Sequence, residues 1–207
     1  YAVSRCMISA DKASHLNAIF VDIGGGTTDI AIVNDNTLAG TKMFTIGGRS
    51  FTKRLSQNLN VAFSEAEEIK LAYAGSRLEK QSHKIVNKAL KGDCDVWLTG
   101  MSLTLGEFSN LDTFPSKILL LGGGSHLPEI KNILSENDWW KDLPFPKKPQ
   151  IRFVHPQDLP TIKDETNLLH DPQDITPMAL AHLGLELAGE EQVLMKLLRK
   201  VVRLMQV

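Results

Sequence analysis

Apolar positions along this chain follow two periods. Between residues 16 and 46 they fall in short β-branched runs, Leu16–Ile23, Asp29–Val33 and Thr37–Ile46, separated by Gly24-Gly25-Gly26 and by Asn34-Asp35-Asn36. Runs of that length between turn residues predict three consecutive antiparallel strands. Gly47-Gly48 ends the meander and the period changes. Phe51, Leu55 and Leu59 lie at i, i+4 and i+8, which predicts a helix over 50–59. Ser64-Glu65-Ala66-Glu67 has the form of a capping box, with the Ser64 hydroxyl accepting from the Glu67 N–H and the Glu67 carboxylate reaching back, at the head of a helix to Ala74. Glu79–Lys91 reads as a surface helix with Ile85, Val86 and Leu90 on its stripe. Gly92-Asp93 interrupts it, and Asp95–Phe108 resumes helical spacing with Trp97 in the core.

Lys117–Leu121 has the apolar run of a strand buried on both faces. A helix follows over Leu127–Leu134, with Ser125 as N-cap and Pro128 in the first turn. Ile151–Val154 predicts a further strand, 156–174 a loop, and Ile175–Leu187 an apolar helix opened by Thr176-Pro177. Residues 2–15 read as a helix or the end of one.

Composition narrows the class. The 207 residues carry 23 basic and 24 acidic side chains, without the basic excess of a nucleic-acid-binding domain, so no nucleic-acid partner is expected. Cys6 and Cys94 have no CxxC spacing, which implies neither a zinc site nor a disulfide framework and suits a reducing cytoplasm. No apolar run is long enough to cross a bilayer and no signal peptide is evident. The chain starts at Tyr1 in structured-looking sequence, so it is expected to be a fragment with an N-terminal part upstream.

Candidate chemistry gathers at two glycine runs. In the first, Gly24, Gly25 and Gly26 let main-chain N–H groups face an anion, Thr27 and Thr28 add hydroxyls, and Asp22 and Asp29 flank the turn. That set suits a phosphate with a water-coordinated divalent cation. A strand follows Gly26 rather than a helix, which excludes the dinucleotide fingerprint, and no Gly-Lys-Ser/Thr follows, which excludes a Walker loop. The plainer alternative is a glycine-rich hairpin tip without a ligand. The second run, Ile118–Ser125, is strand, glycine loop and helix, a geometry that aims free backbone at a ligand or makes a close strand–helix turn.

A DIGGGTTD hairpin followed downstream by LLLGGGSHLP resembles the second half of the actin-like ATPase superfamily. The residues around them look most like FtsA and its relative PilM: Gly47-Gly48 with Phe51-Thr52 opening a helix, Glu65 to Lys70, Thr176-Pro177-Met178-Ala179-Leu180, and Leu183-Gly184-Leu185. The resemblance implies an α/β fold, an actin-like domain II with a mixed sheet flanked by helices. Its nucleotide-binding subdomain would comprise 16–46 and 117–187, with a smaller, largely helical subdomain inserted at 47–116.

The cofactors it implies are ATP and Mg2+. Asp22 would be the catalytic and metal-site residue, holding the water shell of the metal or the attacking water. Gly24, Gly25, Gly26 and Thr27 would take the β- and γ-phosphates with Thr28 beside them, Glu67 and Lys70 would meet the ribose or adenine edge, and Gly123, Gly124 and Ser125 would line the adenosine. For the pair, the alternatives are that Glu67 serves the capping box and Lys70 is solvated. The superfamily binds ATP between two related halves, so this chain is expected to hold half a cleft and to be inactive alone, with at most weak ATPase activity in the full-length protein.

Lys196, Arg199, Lys200 and Arg203 share one face of a C-terminal helix over 190–207, and leucines and valines cover the rest. Such a basic amphipathic helix is an interfacial membrane anchor or a helix docked on a neighbouring domain; FtsA carries one at its C-terminus. The implied protein is a cell-division scaffold, cytoplasmic and peripheral on the inner face of the membrane. Its implied partners are the missing N-terminal half, further copies in filaments, a tubulin-like division protein and the inner membrane. The alternatives are a PilM-type pilus-assembly platform and an actin-fold kinase or DnaK-type chaperone.

Overall fold

The computed structural model describes residues 2–7, 15–136 and 138–189. The short helix α1 (Ala2–Met7) precedes the meander β1 (Ala18–Ile23), β2 (Thr28–Asn34) and β3 (Thr37–Phe44). Three helices follow, α2 (Gly48–Leu59), α3 (Phe63–Ala74) and α4 (Lys80–Gly106). Then come β4 (Lys117–Leu121), a 3-10 turn over Gly123–His126, α5 (Pro128–Glu136), β5 (Gln150–Phe153) and a helix, α6, described over 175–189.

The strands form one sheet in the order β3-β2-β1-β4-β5. β1 pairs antiparallel with β2 and parallel with β4, so it is the central strand where the two senses meet. Its register sets Asp22 opposite both Asp29 and Leu121. The mixed sheet flanked by helices is the α/β architecture expected from the sequence. Alternate residues of β1 bury themselves on opposite faces. Ile19, Val21 and Ile23 pack with Phe51, Leu55, Tyr73 and Trp97 from α2, α3 and α4. Ala18 and Phe20 pack with Val3 of α1 and with Ile175, Met178 and Ala179 of α6. Among the described residues no helix is long and apolar enough to cross a membrane.

Three local expectations are corrected. The expected break at Gly92-Asp93 is absent, because α4 runs unbroken through it. Val86, Leu90, Cys94, Trp97, Met101 and Leu105 form one buried stripe across the glycine, and that packing outweighs the roughly 1 kcal/mol a helical glycine costs. The Ser64–Glu67 capping box does not form: α3 begins at Phe63 with Ala62 as N-cap and no side-chain cap. Ser125 is not an N-cap either, since it lies inside the 3-10 turn and donates its hydroxyl to the Gly122 carbonyl at 2.7 Å. Trp97 is in the core as expected, fully buried, with its indole N–H donating to Thr28 Oγ1 at 2.9 Å. Of the helix read over 2–15, α1 is described; residues 8–14 lie outside the described residues, as does the segment 190–207.

A Cβ placed on Gly92 would meet no atom within 4 Å. Gly92→Ala is therefore expected to stabilise the chain by about 0.5–1 kcal/mol in urea unfolding. A loss of stability would show that the helix needs a break at this point.

Candidate functional site

The first glycine run is seated on a helix N-terminus. Past the end of β1 the loop closes with the Gly24 N–H donating to the Thr27 carbonyl at 2.9 Å. The first turn of α2 then holds it: the Gly48 N–H donates to Gly24 O at 2.8 Å and the Arg49 N–H to Gly25 O at 2.7 Å. These are two of the donors a helix start leaves without an intrahelical partner. Contact is close enough that a Cβ on Gly47 would lie 2.6 Å from Gly24 O and 2.8 Å from Thr27 N. With the carbonyls turned to the helix, the N–H groups of Gly25, Gly26 and Thr27 have no protein acceptor among the described residues. Successive free N–H groups at an exposed turn form an anion-binding concavity.

The second glycine run packs against the same end of β1. Gly122 has φ +81°, and a Cβ on it would lie 2.6 Å from the Ile23 carbonyl oxygen. Gly124 comes as near, its Cβ position lying 2.9 Å from that oxygen. Both runs then open on one cavity of about 560 Å³, within the range of small-molecule sites. Gly24, Gly25, Glu67, Lys70, Gly123 and Gly124 all line it, so the structure brings together candidates from three separate stretches.

Sequence reasoning missed Arg49, His126 and Gln173, which also line the cavity. Arg49 follows Gly47-Gly48 and His126 follows the second glycine run, so adjacency to the glycines was the available signal. Gln173 carried none, because the loop that places it has no periodic pattern. The His126 Nε2 is buried without a hydrogen-bond partner.

For Glu67 and Lys70, neither the capping box nor the solvated lysine holds. Lys70 is 8% exposed, so it is not a solvated lysine. Its ammonium donates to Gly48 O at 3.1 Å, Thr52 Oγ1 at 2.8 Å and Glu67 Oε2 at 2.9 Å, which engages all three of its protons. The Thr52 hydroxyl also donates to Glu67 Oε2. This is why Glu67 does not turn back to cap α3. Burial pushes the Glu67 carboxyl up, but the hydrogen bonds from Thr52 and Lys70 and the Lys70 charge together hold it below the usual carboxylate range. The triad clasps α2 to α3 and grips the Gly48 carbonyl in the same turn that supports the glycine loop.

The remaining candidates separate. Asp22 does not line the large cavity. With Asp29, Lys42 and Thr176 it lines a groove of about 370 Å³ on the face of the sheet that packs α1 and α6. The Thr176 hydroxyl donates to Asp22 Oδ2 at 2.6 Å. Burial pushes the Asp22 carboxyl up, the Thr176 bond opposes this, and the Asp29 charge adds to it. Among the described residues no three His, Cys, Asp or Glu side chains gather closely enough to hold a metal directly. Thr27 donates its hydroxyl to Asp29 Oδ2 at 3.0 Å, and Gly26 is exposed at the loop tip.

Thr28 and Ser125 are fully buried. Thr28 donates to the Ile46 carbonyl at 2.7 Å while accepting from Trp97, and Ser125 is engaged by Gly122. The expectations that Thr28 stands beside the phosphates and that Ser125 lines the adenosine are corrected to structural roles, because neither side chain reaches the surface.

A family model described as "Cell division protein FtsA" matches residues 19–176. The cell division protein FtsA of Neisseria meningitidis is 27% identical over 91% of this chain and 47% of its own length. That of Buchnera aphidicola is 36% identical over 42% of this chain and 21% of its own. Each alignment thus spans less than half of the relative. Among solved structures, the PilM-PilN type IV pilus biogenesis complex aligns with a TM-score of 0.63 at 19% identity, over 87% of this chain and 50% of that one. The ethanolamine utilization protein EutJ from Carboxydothermus hydrogenoformans aligns with a TM-score of 0.55 at 20% identity, over 87% and 51%. Both likenesses are to the actin-like fold.

The clasp can be tested by Lys70→Met, which removes the ammonium that donates to Glu67 and the Gly48 carbonyl. The expected cost is about 2–3 kcal/mol in urea unfolding, less than for a fully buried pair because the Glu67 side chain is 35% exposed. In the parent chain a depressed Glu67 carboxyl contributes stability that is present above the ordinary carboxylate value of 4.5 and lost as pH falls through its lower folded value. NMR titration should show the Glu67 midpoint rising in the variant, and an unmoved midpoint would dissolve the clasp.

Proposed function

The chain belongs to the FtsA family of cell-division proteins, and from that premise we propose that it is the second half of an ATP-binding, actin-like division scaffold. The observation that carries the nucleotide reading is the shared cavity, where Gly24 and Gly25, the latter with an unpaired N–H, and the bare backbone of Gly123 and Gly124 line one volume. The donor set fits the group it would hold. The N–H groups of Gly25, Gly26 and Thr27 would take terminal phosphate oxygens, as the positive end of α2 favours through the loop it supports. Gly123 and Gly124 would bring bare backbone against the nucleoside. Asp22 and Asp29, across the loop in the second groove, would orient the hydration shell of Mg2+. Bound Mg-ATP would supply the phosphoryl charge that these groups are arranged to meet. Glu67 lines the wall, and Lys70 acts by positioning the Gly48 carbonyl.

A cleft of this kind is closed by a second half, so nucleotide affinity and any weak hydrolysis belong to a protein that carries both. In that protein the self-association into filaments, the tubulin-like division partner and the attachment to the inner face of the membrane are part of the same proposal. Attachment rests on the pattern of residues 190–207. The likeness to the PilM-PilN complex supports the fold, and no observation sets a pilus platform or a metabolic kinase ahead of a division scaffold.

Gly123 gives a clean test of the cavity, because the nearest atom to an added Cβ is Gln173 Oε1 at 3.8 Å. In the full-length protein Gly123→Val is expected to preserve the fold by circular dichroism and to weaken Mg-ATP binding about tenfold or more in calorimetry. Unchanged affinity would overturn the nucleotide reading. Attachment is tested separately: anionic liposomes should sediment the chain and fail to sediment it once 190–207 are removed. Equal sedimentation of the two forms would sink the anchor.

A further inference from the structure

A second polar cavity, of about 300 Å³, lies between α4 and α5. Its lining includes Asn87, Asp95, Glu129, Asn132 and Glu136, and it shares no residue with the glycine-loop cavity. Glu129 is the centre of interest, a carboxylate only 8% exposed. Its Oε1 accepts from the Tyr73 hydroxyl and from Asn87 Nδ2, the latter at 2.8 Å. Its Oε2 is buried and has no hydrogen-bond partner. A buried, unpartnered carboxylate oxygen is costly, and a native fold keeps one where something donates to it.

The surrounding wall is rich in acceptors. Asn87 Nδ2 is engaged by Tyr73 at 3.1 Å as well as by Glu129, which leaves its carbonyl oxygen free to accept. Asp95 and Glu136 add two carboxylates, against one lysine, Lys91, on the same lining. The fitting ligand is therefore a cationic donor. A directly bound metal does not fit, since no set of three ligating side chains gathers among the described residues. A guanidinium does not fit well either, because its fork needs both carboxylate oxygens and Oε1 already accepts twice. A primary ammonium is compact, carries three donors and needs only the one free oxygen, while Ile133 offers an apolar wall for its alkyl stem.

We propose that this cavity binds a primary alkylammonium group, presented by a free aliphatic diamine or by a lysine side chain of a partner protein. The site is independent of the nucleotide reading.

Putrescine and Nα-acetyl-lysine amide, titrated in turn into the 15N-labelled chain, should shift the side-chain amides of Asn87 and Asn132 saturably. Glu129→Gln should weaken that binding about tenfold or more. Asn132→Leu, at an exposed position on the rim, should weaken it with unfolding stability unchanged, which keeps the test open if the Glu129 variant does not fold. Tighter binding of putrescine assigns the free diamine, and tighter binding of the lysine amide assigns a partner side chain. Absence of saturation with both ligands, or equal binding by the parent chain and a folded variant, overturns the proposal.

Discussion

Two backbone hydrogen bonds, from the first turn of α2 to the carbonyls of Gly24 and Gly25, are the contact on which the site depends. They orient the loop. With those carbonyls committed to the helix, the N–H groups of Gly25, Gly26 and Thr27 are left without a protein acceptor among the described residues. Gly47 is the residue that permits the approach, since any side chain there would collide with the loop backbone. Lys70 then supports the helix start from behind by holding the Gly48 carbonyl.

Around that contact the sheet acts as a partition. β1 ends at the loop, and its alternating side chains serve two separate cores. The large cavity opens on the α2–α3 side, whereas Asp22 and Asp29 line the groove on the α1–α6 side. Thr28 anchors the returning strand by binding both Ile46 and Trp97 in the interior. A single hairpin thus lines one volume with its glycine backbone and another with its carboxylates.

The elements that were hard to read share one cause. Gly92-Asp93 looks like a stop because glycine is a poor helix former, yet the stripe from Val86 to Leu105 lies on one face and its burial carries α4 through. Ser64 to Glu67 looks like a capping box because local spacing fits, yet Glu67 has stronger partners in Thr52 and Lys70. Thr28 and Ser125 carry hydroxyls beside the glycine runs, but both are buried, Thr28 engaged across the fold by Trp97 and Ser125 within its own turn by the Gly122 carbonyl. For Gly92, Glu67 and Thr28 a local preference worth about 1 kcal/mol met a tertiary contact worth more.

By itself the sequence determined the three-strand meander, the buried parallel strand, the two glycine runs and the family to which they belong. Those features rest on period, turn chemistry and residue type, all of which are local. Only the tertiary structure decided that the two runs, with Glu67 and Lys70, face one cavity while Asp22 faces another. It also decided that Lys70 is a buried clasp and that Gln173, far along the chain, joins the wall. Such placements depend on which carbonyl meets which N–H across the fold, and on which charged groups can be buried together. The glycine loop was legible from its composition as a tight turn with free backbone; the helix start that takes up its carbonyls was not.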